Sequence, residues 1–256
     1  MIYLIDSSDN KGNKCMEEKK MSMKQIIAEE ERKEEERLAI VLSHIQAGVT
    51  FVDWKTAYIG QEVSIGEGTT IGPCVILEGN TKIGRDCNIG HNTKIVDSVI
   101  DDGVNIQCSV ILESTIGSRT KVGPFAYLRP GSHIGRDAKV GDFVEVKNST
   151  MGDGAKASHL TYIGDADVGD GVNLGCGVVF VNYNGSEKNR STVEEAAFIG
   201  CNTNLIAPVK VGKGAYVAAG TTITKDVPSG ALCIGRAKDM IIPDWVEKRG
   251  ILKKKK

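Results

Sequence analysis

Aromatic residues make up only 5% of the 256-residue sequence. Large cores lean on aromatic rings for volume, so this composition points to a thin, aliphatic interior. Proline is also sparse, at six, whereas glycine reaches 30. Tight corners are implied, and long polyproline segments are excluded. The seven cysteines (Cys15, Cys74, Cys87, Cys108, Cys176, Cys201, Cys233) include no C-x-x-C pair. They read as reduced thiols in an intracellular protein, mostly small apolar fillers, and no metal site is expected from them. The formal net charge is −1, so no global field favours nucleic acid or a membrane surface. No apolar run approaches the ~20 residues that span a bilayer. The opening Met1-Ile-Tyr-Leu-Ile is too short for the core of a signal peptide. A cytoplasmic protein without nucleic-acid partners is the expectation.

What is present falls into four parts. Residues 1–21 are polar and irregular, with further methionines at Met16, Met21 and Met23; they read as disordered or as a premature start. Residues 22–48 read as an α-helix, with apolar Ile26, Ile27, Leu38, Ile40, Val41, Leu42 and Ile45 among charges, stopped by Gly48. Its run from Glu29 to Arg37 reads as a solvated face. Residues 49–228 carry a short repeat, and residues 229–256 read as a C-terminal arm with a basic tail, in which Ala231 to Arg236 can supply one more strand.

The repeat has a period of six. Ile59, Ile65, Ile71, Leu77, Ile83, Ile89 and Ile95 recur at that spacing, most of them followed by Gly, and the pattern resumes through Ile116, Val122, Leu128, Ile134, Val140 and Val146. Six fits neither an amphipathic helix nor an ordinary alternating strand. It fits a parallel β-helix in which three hexapeptides form one triangular coil and coils stack at ~4.8 Å. The pattern lapses from Val178 to about Ala197 and returns at Ile199 and Leu205, so a loop is expected to leave the stack there. Loops thrown out of repetitive scaffolds commonly carry binding residues.

The chemistry-bearing residues gather between Val144 and Thr192. Among four histidines, His159 lies in this stretch, whereas His44 belongs to the helix and His91 and His133 occupy ordinary repeat positions. Imidazole is the usual side chain for moving a proton near neutral pH. Six segments follow one another in order: GPFAYLRPG (123–131), VEVKNS (144–149), ASHLTYIGD (157–165), VNLGCG (172–177), VNYNGSEK (181–188) and GAYVAAGTTIT (214–224). Together they closely resemble the acetyltransferase domain of the bifunctional GlmU family, over roughly Gly48 to Arg236.

The resemblance implies an all-β fold: a left-handed parallel β-helix of hexapeptide repeats with an N-terminal α-helix. It implies an acetyl-CoA-dependent glucosamine-1-phosphate N-acetyltransferase, acting as a homotrimer and feeding cell-wall precursor synthesis. His159 is implied as proton acceptor. Arg129, Lys147, Tyr162, Asn173 and Lys188 are implied for the sugar phosphate, where Arg offers a two-pronged fork and Lys a point charge. Cys176, Asn182, Tyr183, Cys201, Ala219 and Arg236 are implied for acetyl-CoA. Two of these depart from the family, which usually has a small residue at Cys176 and Ser at Cys201; a thiol is the weaker hydrogen-bond partner. A nucleophilic Cys is the less favoured reading, because direct transfer needs none and no basic residue is close in sequence.

The other half of the family's bifunctional enzyme is a nucleotide-binding domain with a G-x-G-T-R-M loop, and no such loop occurs here. The expectation is the second half alone, possessing neither the uridyltransferase site nor its metal ligands, with the helix of residues 22–48 as a former linker. The alternatives are an inactive β-helix that scaffolds a separate uridyltransferase, or an acetyltransferase for another amino sugar. Incubation with UTP and N-acetylglucosamine-1-phosphate should therefore release no pyrophosphate; release above the protein-free rate overturns this reading.

Overall fold

The computed structural model describes residues 22–251. Expectations for residues 1–21 and for the Lys253–Lys256 tail lie outside the described residues. The backbone divides into one unit up to Glu36 and a second from Arg37 onward.

The helix Met23–Gln46 agrees with the expected span. Its start is a capping box: the Ser22 amide donates to Gln25 Oε1 at 2.8 Å, and the Gln25 amide donates back to Ser22 Oγ at 3.4 Å. The charged run is solvated, with Arg32 paired to Glu29 at 2.8 Å and Lys33 to Glu30 at 2.8 Å, all four side chains more than a third exposed. Such pairs contribute little each. At the other end Gly48 adopts φ +90°, and the Val49 amide donates to the His44 carbonyl at 3.0 Å, closing the helix as expected.

From Thr50 the second unit is a left-handed parallel β-helix, the fold class expected. Its strands of two to four residues form three parallel sheets of 11, 10 and 9 strands, each coil adding one strand to each sheet. The second residue of a strand such as Lys82–Ile83 or Asn88–Ile89 is buried and the first exposed. This is the two-residue alternation of a strand, cut short by a corner before it repeats. The inward line of one sheet runs Ile59, Leu77, Ile95, Ile111, Leu128, Val146, Ile163, Phe180, Leu205, Ile223, all buried. Aliphatic side chains that stack on their own kind need no aromatic filler, which accounts for the composition.

Corners leave backbone donors unpaired, and buried hydroxyls take them. Ser114 N donates to Ser98 Oγ at 3.1 Å, Ala126 N to Ser109 Oγ at 3.2 Å and Ala166 N to Ser149 Oγ at 2.9 Å. Each hydroxyl in turn donates to a carbonyl on its own coil. At these three corners the backbone donor and the hydroxyl are both paired.

Two expectations change. The repeat does not lapse across Val178–Ala197: strands Val179–Val181 and Ser191–Val193 stay in register with their neighbours and bury Phe180 and Val193. Only residues 182–190 leave the stack. A large inward Phe and polar flanks hid the period there. The stack also passes residue 228, since Leu232–Cys233 pairs with Tyr216–Val217, as the strand foreseen near Ala231–Arg236 required.

Because each coil touches only its neighbours, a mid-stack cavity should loosen adjacent coils as well. Ile95→Ala should cost about 2–5 kcal/mol, read as a lower guanidinium midpoint; a loss under ~1 kcal/mol would show that the line of inward side chains is not what holds the coils together.

Candidate functional site

One corner of the prism carries a column of residues at equal positions in successive coils. Strand Lys139–Asp142 pairs with Lys156–His159, placing Asp142 directly opposite His159. The next coils bring Cys176, Cys201 and Ala219 to the same place, as their flanking strand registers and hydrogen bonds show. Gly141 makes the approach possible, because a Cβ there would overlap the Ser158 carbonyl. The turn after His159 is tightly determined. Leu160 takes φ +46°, its amide donates to the Asp142 carbonyl at 2.9 Å, and Thr161 Oγ1 donates to the His159 carbonyl at 2.8 Å.

His159 Nδ1 lies 2.6 Å from Asp142 Oδ1. Burial pushes the Asp142 carboxyl up, but hydrogen bonds from backbone and His159 and the charges of His159 and Lys139 outweigh this, leaving it below the ordinary carboxylate value. An ionised carboxylate only accepts, so Nδ1 must carry the proton it shares, and the Nε2 lone pair is left to accept another. The imidazole is 55% exposed, open to a substrate.

The face beyond this corner is built from strands Tyr127–Leu128, Glu145–Lys147, Tyr162–Gly164 and Val179–Val181. It gathers Arg129, Lys147, Tyr162 and, from the extruded loop, Lys188. Arg129 Nη1 donates to Glu145 Oε1 at 2.8 Å. The Lys147 ammonium lies 3.9 Å from Asp165 Oδ2. The adjacent Lys188 depresses the Lys147 pKa, burial adds to this, and Asp165 opposes it. Burial raises the Asp165 carboxyl, but hydrogen bonds from Asn148 and Asn182 and the two lysines leave it below its ordinary value. Three cationic side chains thus face two carboxylates, Glu145 and Asp165, and two ammonium groups are held side by side. That arrangement suits an added anion. The Tyr162 ring lies over Gly164, where a Cβ would overlap the phenol oxygen and stand 2.5 Å from Cζ.

The other expected residues are placed differently. Asn182 is 8% exposed and turned inward; its amide donates to Asp165 and, at 3.4 Å, to the Tyr162 hydroxyl. It anchors the base of the loop and does not present its amide outward. Tyr183 folds its hydroxyl onto the Gly185 carbonyl at 2.6 Å and bridges Lys188 across the loop. Asn173 stands in register with Lys156 and Phe198 on the neighbouring face, away from the cationic cluster. Arg236 Nη1 donates to the Ala219 carbonyl at 2.6 Å, at the far end of the corner column.

Sequence reasoning missed Asp142, Glu145 and Asp165. The signal was present but at another period: Asp142–His159 and Asn148–Asp165 are each 17 residues apart, one coil. The coil also revises one argument about Cys176. A histidine distant by 17 positions in sequence is its neighbour in the column. Among the described residues no cluster of His, Cys, Asp and Glu suits a metal ion, and no helix is long and apolar enough to cross a membrane.

Comparison with known proteins agrees with this geometry. The family model for bacterial transferase hexapeptide (six repeats) matches residues 62–96, 113–148 and 190–225. The chain is 51% identical over 215 residues to the bifunctional protein GlmU of Alkaliphilus metalliredigens, and 55% identical over 214 residues to that of Clostridium beijerinckii. Each match covers 84% of this chain and 47% of the relative, so the chain spans about half the length of the curated relatives it matches. A UDP-N-acetylglucosamine acyltransferase from Francisella novicida shares the fold, with a TM-score of 0.51 and 17% identity over 76% of this chain and 72% of its own. Repeat, identity and coil architecture coincide over the same residues, and the chain therefore belongs to the hexapeptide-repeat family of bacterial transferases, as the counterpart of one half of the bifunctional GlmU proteins.

Proposed function

We propose that the protein transfers acetyl from acetyl-CoA to the amine of glucosamine-1-phosphate, a step towards UDP-N-acetylglucosamine and cell-wall precursors. The observation that carries this reading is the Asp142–His159 pair, with its open Nε2, beside a face of clustered cations. An amine is protonated near neutral pH: it gives one proton to water before it attacks, and it must lose a second as the C–N bond forms. His159 Nε2 accepts that proton, while Asp142 keeps Nδ1 protonated and favours the imidazolium that results. Acetyl-CoA supplies an acyl thioester, whose C–S bond breaks as the C–N bond forms. The imidazolium then returns its proton to the departing sulfur. Arg129, Lys147 and Lys188 hold the phosphate, Arg129 by its fork and the lysines by charge. The outward corner of Cys176, Cys201 and Ala219, ending in the Arg236 guanidinium, fits a long, anionic thioester carrier.

The reading is tested by thiol release from acetyl-CoA over a panel of amino sugars with and without a 1-phosphate; turnover with none of them overturns it. His159→Ala should lower kcat roughly 10²–10⁴-fold. Asp142→Asn keeps an acceptor for Nδ1 but not the charge. It should therefore lower kcat while leaving the KM for acetyl-CoA little changed. An unchanged kcat would remove Asp142 from this positioning role.

The site is completed between copies in a homotrimer. Asn173 and Lys147 stand on adjacent faces of one prism, which diverge; laying one copy's face against the neighbouring face of the next brings the two together. Asn173→Ala and Lys147→Ala, each impaired alone, should regain activity when unfolded and refolded as a mixture. Mixed oligomers confirmed by mass but no more active than either parent would refute the shared site.

A further inference from the structure

Two thiols stand on consecutive rungs of the corner column. Leu174 pairs with Ile199 in parallel register, which carries Cys176 opposite Cys201. The Gly175 amide donates to the Ile199 carbonyl and the Asn202 amide to the Cys176 carbonyl, each at 2.8 Å, so the hydrogen bonds bracket the pair on both sides. The backbones are closely apposed here: a Cβ on Gly175 would stand 2.6 Å from Cys201 N. At strand spacing the two Cα atoms are ~4.8 Å apart, within the 4.4–6.8 Å that a disulfide spans. Both thiols are free, Cys201 exposed and Cys176 half-buried. Two rungs earlier on the same column, Asp142 and His159 show that outward side chains on adjacent coils meet directly.

We propose that Cys176 and Cys201 are a reversible oxidation site, forming an intramolecular disulfide with a peroxide as oxidant. One thiolate attacks a peroxide oxygen; the O–O bond breaks, giving a sulfenic acid and a hydroxide that is protonated to water. The second thiolate attacks that sulfur and displaces the hydroxyl, which leaves as a second water. Two S–H bonds are lost, one S–S bond forms and the peroxide is reduced. Parallel side chains on adjacent strands hold their Cβ atoms at about the strand spacing, wider than the ~3.8 Å a relaxed disulfide prefers. The bond draws the corner together and is correspondingly easy to reduce. Exposed, strained disulfides of this kind are the labile ones. Among the described residues the remaining cysteines, Cys74, Cys87, Cys108 and Cys233, share no such register.

The consequence for activity rests on the function proposed above. The disulfide occupies the rungs between His159 and Ala219, where the thioester arm is placed, so oxidation should inhibit transfer. The existence of the bond does not depend on that reading. The full-length protein is treated with hydrogen peroxide, alkylated and digested. Mass spectrometry should find the Cys176 and Cys201 peptides joined, with a loss of two hydrogens, and dithiothreitol should separate them. Cys201→Ser should abolish the joined species. Peroxide should lower wild-type activity at least tenfold, reversibly, while Cys201→Ser, measured against its own untreated rate, is spared. Oxidation of these thiols only to separate sulfenic or higher acids, or pairing with other cysteines, overturns the proposal. A mapped disulfide in a protein that transfers no acetyl group would uphold the site and overturn the function instead.

Discussion

Everything in the second unit depends on hydrogen bonding from one coil to the next in parallel register. Each amide on a strand reaches a carbonyl one coil away, as Gly90 N to Ile106 O and Gly152 N to Val168 O do. The register transmits position: whatever a coil carries at its corner is delivered beside the equivalent residue of the next. Inward this yields lines made mostly of Ile, Leu and Val, interrupted by residues such as Phe180 and Met151; outward it yields columns of chemistry. A single line of aliphatic side chains makes a thin core, and its stability is a sum of similar rungs.

The site uses both products of that register. The corner column aligns a carboxylate, an imidazole and two thiols without any loop to hold them. The adjacent face collects cations from strands one coil apart and adds Lys188 from the loop of residues 182–190. Asp165 is central to this arrangement. Nearly buried, it receives Asn148 and Asn182 and lies against Lys147, so the loop base and the cationic cluster share one anchor. Losing that carboxylate would leave two ammonium groups in contact with less to offset them.

The same logic makes single positions consequential. A thiol changes little on an isolated surface. On adjacent rungs, two thiols become a potential bond. Leu160 illustrates the converse: a left-handed Leu beside His159 is tolerated because Asp142, Thr161 and the neighbouring coil determine its backbone from several sides.

By itself the sequence determined the fold class, the helix of residues 22–48 and the inward aliphatic line, and its resemblance to a known family put forward His159, Arg129, Lys147, Tyr162 and Lys188 as candidates. A period of six is a local property, and a motif such as ASHLTYIGD is contiguous. The tertiary structure alone decided which of those residues meet. Asp142 became visible only when the chain was wound with 16 to 18 residues to the coil, and Asn182 proved to be an inward anchor because its partner, Asp165, lies a coil away. Cys176 and Cys201 are 25 positions apart in the chain, with the extruded loop between them, and no local pattern links them. The coil does so, because hydrogen-bond register depends on position within the turn and takes no account of the residues looped out between.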